Sequence, residues 1–293
     1  MEVLLVGGSG FIGRQLQQAL LLKHIKFKVL TRKPKTKEDV FWNPSSNTID
    51  LNSLAQITHV INLAGEGIAN SRWSQKRKKE LINSRVNTTQ FLYDQFQIAG
   101  INLQGYIGIS GTNAFGFDDL KVYAEHDVFG TDFLSQLVEA WEKAHKLFDK
   151  AENFSIARLG MVLSPDGGAY AKIAGPMKFG LGAIPGKGKQ VVPWVHASDV
   201  VAYLMQSLLH PDARLCHVVT ANDTMEAVVQ AIARREKKKL FLPNIPSWVV
   251  RILFGEMGNL LTESLRIDNQ IYCAMYPQKL IANLNDFAHE KEN

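Results

Sequence analysis

A strand-like apolar run that breaks into a glycine-rich turn and re-emerges as a helix limits what a chain can fold into. Here Val3–Val6 is followed by Gly7, Gly8, Ser9 and Gly10, and then by an amphipathic pattern that begins Phe11-Ile12-Gly13. Glycines 7, 10 and 13 keep a G-x-x-G-x-x-G spacing. The first can turn tightly, the second leaves the backbone open to a pyrophosphate, and the third lets the helix pack closely on the strand. The helix N-terminus then presents free N–H groups and a positive dipole end to phosphates. Gly7, Ser9, Gly10, Phe11, Ile12 and Gly13 are therefore candidate cofactor contacts. The alternative is a turn that serves packing alone.

The next segments keep the same rhythm. Strand patterns are expected at residues 27–32, 40–42, 59–65, 106–111 and 154–163. Helical patterns are expected at 11–23, 74–99 and 132–152. Strand–helix alternation of this kind predicts an α/β, doubly wound parallel sheet covered on both faces. The character changes near residue 160. Residues 175–196 are too rich in glycine and proline to form one regular element. A helix at 198–209, a strand at 216–221, a helix at 224–238 and an amphipathic stretch at 245–261 are expected beyond it. The division expected is a dinucleotide-binding domain at 1–160 and a smaller substrate lobe at 161–293, intertwined with the first.

The end of the second strand distinguishes the two nicotinamide dinucleotides. An acid there bonds the ribose 2′-hydroxyl of NAD, whereas a basic residue accommodates the 2′-phosphate of NADP. The sequence is Thr31-Arg32-Lys33, with no acid before Glu38. Arg32 can pair bidentately with a phosphate, so NADP is the expected cofactor. The alternative is that Arg32 and Lys33 only edge a surface loop. Leu63, Ala64 and Gly65 end the strand at 59–65, where small residues let a flat ligand lie on the backbone.

Composition closes off other classes. The net charge of +5 is mild for 293 residues, and the runs Lys76–Lys79 and Arg234–Lys239 read as solvated helix faces. No nucleic-acid partner is expected. Two distant cysteines, Cys216 and Cys273, argue against a disulfide framework or a metal site and suit a reducing compartment. The first strand leaves no room for a targeting peptide, so a cytoplasmic setting is expected, with an organellar one left open. No transmembrane segment is expected; the stretch at 245–261 leaves peripheral membrane contact open. The expected ligand partner is a small-molecule substrate of unknown identity, and a homodimer is also left open.

Taken in order, VGGSGFIG, TRKP, NLAGEGIANSRWS, INSRVNTTQFL, WEKA, ARLGMVLSPDGGA, FGLGAIPGKGKQ and PWVHASDVV resemble a known group. It is the atypical extended short-chain dehydrogenase/reductases known as epimerase family proteins (subfamily thirty-nine U), and the likeness runs to about residue 245. It implies an NADP-binding Rossmann domain with a smaller C-terminal lobe. It also implies an NADP-dependent oxidoreductase or a nucleotide-sugar epimerase without a settled substrate. It places Thr31 and Arg32 at the adenosine phosphate, Leu63 and Ala64 along the fourth strand, Glu80 and Arg85 on the next helix, and Val162 beyond the sixth strand. By residue type alone, Glu80 and Arg85 would pass as ordinary helix-surface charges.

The wider superfamily moves its proton with a Tyr-x-x-x-Lys pair. None of the seven tyrosines here has lysine four residues later. Counting back from Glu142 puts Leu134 and Val138 in those places. The weak substitutes for proton transfer are Glu66, Ser110 (with Thr112 beside it) and His196. Each has an ordinary reading as a capping, turn or packed residue. Phe115-Gly116-Phe117 stands where tyrosines are expected in the family. Lys178, Lys187 and Lys189 on the glycine/proline loop would suit a diphosphate, or simply lie in water. In the tail, Pro277, Lys279 and Leu280 fit the family pattern, but the lobe's last element is expected to be lost or shortened. The alternative to an enzyme is a non-catalytic protein that senses NADPH.

Overall fold

The computed structural model describes residues 1–210 and 214–290. The elements of the first half are β1 (Glu2–Val6), α1 (Phe11–Leu22), β2 (Lys26–Thr31), β3 (Asp39–Asn43), β4 (Thr48–Ile49) and β5 (His59–Asn62). They continue with α2 (Gln75–Ile82), α3 (Thr88–Ala99), β6 (Gly105–Gly111), β7 (Val122–Tyr123), α4 (Phe133–His145) and β8 (Asn153–Leu159). The second half adds β9 (Met161–Ser164), α5 (Gly168–Met177), β10 (Val191–His196), α6 (Ala197–Leu209), β11 (Leu215–Val218), β12 (Ala221–Thr224) and α7 (Met225–Arg235). It ends with α8 (Ser247–Phe254), α9 (Asn259–Thr262), β13 (Arg266–Ile267), α10 (Gln270–Met275) and α11 (Leu284–His289).

Eight strands form the main sheet in the order β11-β8-β6-β5-β1-β2-β3-β4. Every pairing is parallel except that of β3 with the edge strand β4. Alternation along β1 explains how the sheet is covered. Val3 and Leu5 face Leu16 and Leu20 of α1 and Leu204 and Leu208 of α6. Leu4 and Val6 face Leu92 and Phe96 of α3, as the period-two side-chain direction of a strand requires. β1 lies between β2 and β5, so the strand order reverses there. In open α/β sheets, ligands gather outside the carboxyl ends at such a point.

Several expectations change. The apolar stretch at 154–163 is two strands, not one. The chain leaves the main sheet at Gly160, where an added Cβ would lie 2.9 Å from the Pro193 carbonyl oxygen. β9 then joins β10 and β12 in a second, three-stranded sheet. The stretch at 216–221 divides the same way, into β11 of the main sheet and β12 of the small one. Thus α6 and β11 return to the main sheet after the small one has begun. The long helix at 74–99 is broken by a π-helical turn at Asn83–Asn87. The tail's last element is present as a short helix of six residues: α11 buries Leu284 and Phe287 against Tyr170, Met225 and Val228. Among the described residues, no helix is long and apolar enough to cross a membrane, and no cluster of metal-ligating side chains occurs.

A buried polar chain ties α4 to the sheet. The Asn62 amide donates to the Tyr106 hydroxyl (3.0 Å), which sits 2.7 Å from His145 Nδ1, and His145 Nε2 meets the Ile109 carbonyl at 3.0 Å. A neutral ring, donating from Nε2 and accepting at Nδ1, satisfies both partners. Burial pushes the His145 pKa from 6.5 to about 4. The unfolded chain therefore takes up a proton that the folded chain refuses. This contribution is complete above pH 6.5 and is lost as pH falls from there to about 4, amounting to roughly 3 kcal/mol. Urea midpoints measured from pH 7 to pH 4 should fall, and His145→Gln should flatten the descent.

Candidate dinucleotide site and adjoining cleft

The parallel register sets Val6 beside both Leu30 and Asn62. Gly7, Thr31 and Leu63 therefore leave the sheet at one level of its carboxyl edge. Gly7 has φ +75° and turns the chain back. A Cβ on it would stand 2.8 Å from the Leu63 carbonyl carbon and 2.9 Å from the Ala64 nitrogen. Gly13 seats α1 against the turn, since a Cβ there would lie 2.3 Å from the Gly8 carbonyl oxygen. Gly10 caps α1 in an extended conformation with no side-chain cap. The N–H groups of Phe11, Ile12 and Gly13 thus have no acceptor within the helix. Arg14 donates to the Ser9 carbonyl (2.8 Å) and Gln17 to the Gly8 carbonyl (2.9 Å), which holds the turn open from behind. Exposed Ser9 lies at the crest of the turn.

Arg32 is exposed just past β2 and has no carboxylate partner among the described residues. The nearby Asp39 carboxylate is taken by the N–H groups of Lys35 and Thr36. The Thr31 hydroxyl accepts from the Lys33 N–H at 3.2 Å.

The opposite wall is built by the loop after β5 and the π turn. Arg85 is buried, donates to the Glu66 carbonyl (2.8 Å), and lies with its guanidinium 4.9 Å from the Trp141 ring centroid. Its Nε has no partner among the described residues, and burial lowers its pKa to about 10. A Cβ on Gly65 would come within 3.0 Å of that guanidinium carbon, so glycine lets the loop cross the arginine. Ser84 accepts the Glu66 N–H at 3.1 Å. Glu80 pairs with Arg77 at 3.0 Å, and Arg77 also donates to the Gly67 carbonyl at 2.7 Å. This corrects the reading of the Lys76–Lys79 run as a solvated face. The side chains of Arg77 and Lys78 are only 11% and 18% exposed, because they face this loop and the helical segment at Glu256. Sequence reasoning missed Arg77, and the one available signal was the pair it makes with Glu80 three residues on.

From the second half, Val162 comes to the start of α1. Phe11 and Val162 pack on the same core. A Cβ on Gly168 would meet the Val162 oxygen at 2.6 Å and the Phe11 ring at 3.4 Å. Gln15 also reaches Asp166 (3.3 Å). The turn and the LSPDGG stretch, 150 residues apart in sequence, therefore close on each other.

The places where a tyrosine and lysine would stand are filled with packing. Leu134 lies against Leu81 and Leu137, and Val138 against Ala114, Phe115 and Val219; neither is more than 3% exposed. Among the weak substitutes, Ser110 is buried and its hydroxyl donates to Glu142 (2.7 Å). Glu142 is in turn held by both ends of the Arg158 fork. His196 is buried beside Phe287, its Nδ1 2.7 Å from the Ser198 hydroxyl at the start of α6. Burial lowers its pKa to about 4. Its ring thus caps and packs, and the contacts that hold it come from α6 and α11, not from the turn. Glu66 is exposed next to Gly65, and its carboxylate has no cationic partner among the described residues. Lys178, Lys187 and Lys189 are exposed on their loop.

Comparison with known proteins agrees with this geometry. The chain is 33% identical to mouse epimerase family protein SDR39U1 over 91% of both chains. It is likewise 33% identical to an epimerase family protein of Mycobacterium bovis over 88% of this chain and 86% of that one. The structure of human epimerase family protein SDR39U1 with NADPH superposes with a TM-score of 0.87 at 28% identity, covering 98% of each chain. A more distant structure, MoeE5 with UDP-glucuronic acid and NAD, shares the fold at 20% identity and a TM-score of 0.78, covering 98% of this chain and 96% of that one. A family model matches residues 3–221, from the first strand to the start of β12. With strand order, glycine turn and relatives in agreement, the chain belongs to the NAD dependent epimerase/dehydratase family.

Proposed function

We propose that this chain binds NADP(H) along the carboxyl edge of the main sheet and acts as an NADP-dependent oxidoreductase or nucleotide-sugar epimerase. The observation that carries the cofactor is the set of N–H groups at the start of α1 with no acceptor within the helix, with Arg32 exposed at the same edge. Human SDR39U1, which is solved with NADPH, supports it. The residues fit the group. Gly7, Ser9, Gly10, Phe11, Ile12 and Gly13 would hold the pyrophosphate, and Thr31 and Arg32 the 2′-phosphate. Leu63, Ala64 and Gly65 would form the floor, with Glu80, Arg85 and Val162 completing the walls. When bound, nicotinamide supplies a carbon that gives or takes a hydride. The chain's own part is to orient that ring and exclude water. Residues 161–293 would supply most of the substrate lobe. The substrate is a small molecule, with no nucleic acid, in a cytoplasmic setting.

Of the three proton-transfer candidates, Glu66 alone is exposed; Ser110 is buried and donates to Glu142, and His196 is buried with its Nδ1 at the Ser198 hydroxyl. Buried Leu134 and Val138 favour a second reading, a protein that senses NADPH without turnover. A screen of NADPH oxidation against carbonyl compounds, together with epimerisation of nucleotide sugars, separates the two. Turnover lost in Glu66→Gln and kept in His196→Gln is expected of the enzyme. Tight NADPH binding with no turnover on any compound overturns it in favour of the sensor.

A further inference from the structure

One face of the second half carries large apolar side chains into solvent. Phe179 is 82% exposed, Phe241 77%, Trp248 66%, Ile252 64%, Leu181 61% and Leu253 58%. Three segments bring them together. The Ile245 N–H donates to the Ile184 carbonyl and the Gly186 N–H to the Ile245 carbonyl, both at 2.8 Å, and the Asn244 amide reaches the Lys187 carbonyl at 3.4 Å. A Cβ on Gly182 would touch Leu240 at 2.9 Å. The loop at 178–189 is thus zipped to the strap at 237–246, and α8 follows directly. Along α8, Trp248 and Ile252 share one side, while Val250 is buried.

The charge of this face is one-sided. Residues 178–189 and 237–254 contain seven Lys and Arg and no Asp or Glu. Arg251 is paired with Glu263. The six lysines have no carboxylate within 4.0 Å among the described residues. Glu226, which lies against Gly188, is occupied with Gln230. An isologous pairing of two such faces would set the lysines of both copies together. A surface that is apolar at depth and anionic at the top matches both features. At eight residues, α8 is too short to span a bilayer and suited to lie in its headgroup region.

We infer that the face formed by Phe179, Leu181, Phe241, Trp248, Ile252 and Leu253, with the lysines of the same two segments, docks the protein peripherally on an anionic lipid membrane. The test is co-sedimentation of the full chain with phosphatidylcholine vesicles, with and without about one-third phosphatidylglycerol. Binding to the anionic vesicles, weakening with salt and accompanied by a blue shift of Trp248 emission, is expected. Trp248 is the most exposed of the five tryptophans. Lys237→Gln, Lys238→Gln and Lys239→Gln together should weaken binding about a hundredfold at low salt. Trp248→Ser with Ile252→Ser should abolish the shift. Unchanged thermal melting in both sets shows that the fold is intact. Equal pelleting with neutral and anionic vesicles, or none with either, overturns the inference. So does a loss of self-association in these variants while vesicle binding stays unchanged, which assigns the face to a second copy.

Discussion

Gly7→Val should melt well below the parent chain and hold no NADP(H). The residue sits at φ +75°, a conformation that costs a β-branched side chain roughly 1–3 kcal/mol. The clash adds to it, since the new Cβ would lie 2.8 Å from the Leu63 carbonyl carbon and oxygen. Those atoms are backbone at the end of β5, fixed by the Leu63 N–H donating to the Val6 carbonyl at 2.8 Å. They can give way only by opening the β1–β5 pair. A total near 4 kcal/mol lowers the melting midpoint by roughly 8–15 °C in a chain of this size. Gly100→Ala is the control. Gly100 shares a positive φ of 65°, but its Cβ would meet nothing within 4 Å. It should cost only about 1 kcal/mol. Melting curves of the two variants, with NADPH titrations, separate the effect of strain from that of close approach.

Arg158→Met should destabilise the fold by roughly 3–5 kcal/mol, because it strands a buried carboxylate. Arg158 and Glu142 are 2% and 4% exposed and joined by two bonds of 2.6 and 2.8 Å. A second arm of Arg158 donates to the Glu125 carbonyl at 2.7 Å, so β8, α4 and the segment after β7 meet at one guanidinium. Ser110 adds a third bond to Glu142. The pair with Glu142→Leu should recover part of the loss, since the double change removes both charges from the interior. Urea denaturation of the two singles and the double measures the coupling. Simple additivity of the singles would mean that the ion pair does not hold these elements together.

Much of the sheet was readable because each parallel strand, buried on both faces, is a short apolar run between helical patterns. The misreadings have a shared physical origin. At Gly160, the apolar run does not break when the chain passes from one sheet to the other, so hydropathy carries no mark of the crossing. Among Lys76–Lys79, four charges look alike in sequence. Only the fold shows that Arg77 turns inward to the Gly67 carbonyl while Lys79 stays in water. The closing helix is short and leads into a polar sequence, so Leu284 and Phe287 are its main apolar marks. At the site, the glycine turn was legible because its glycines are required by backbone geometry. The missing Tyr-x-x-x-Lys pair was legible by counting from Glu142, which the structure explains as a fixed anchor for Arg158. The surroundings of Ser110 and His196 were not legible, since Glu142 and Phe287, which pack on them, come from distant segments.

The central claim is selective binding of NADP(H), and Arg32 is where it is most exposed to test. Parallel calorimetric titrations of NADPH and NADH into the parent chain and Arg32→Ala measure it directly. The expected result is that the parent prefers NADPH, and that the variant loses roughly ten- to a hundredfold in NADPH affinity, the worth of a charge-assisted phosphate contact, while NADH is almost unaffected. Equal losses for both cofactors, or a parent chain that binds neither, would contradict it.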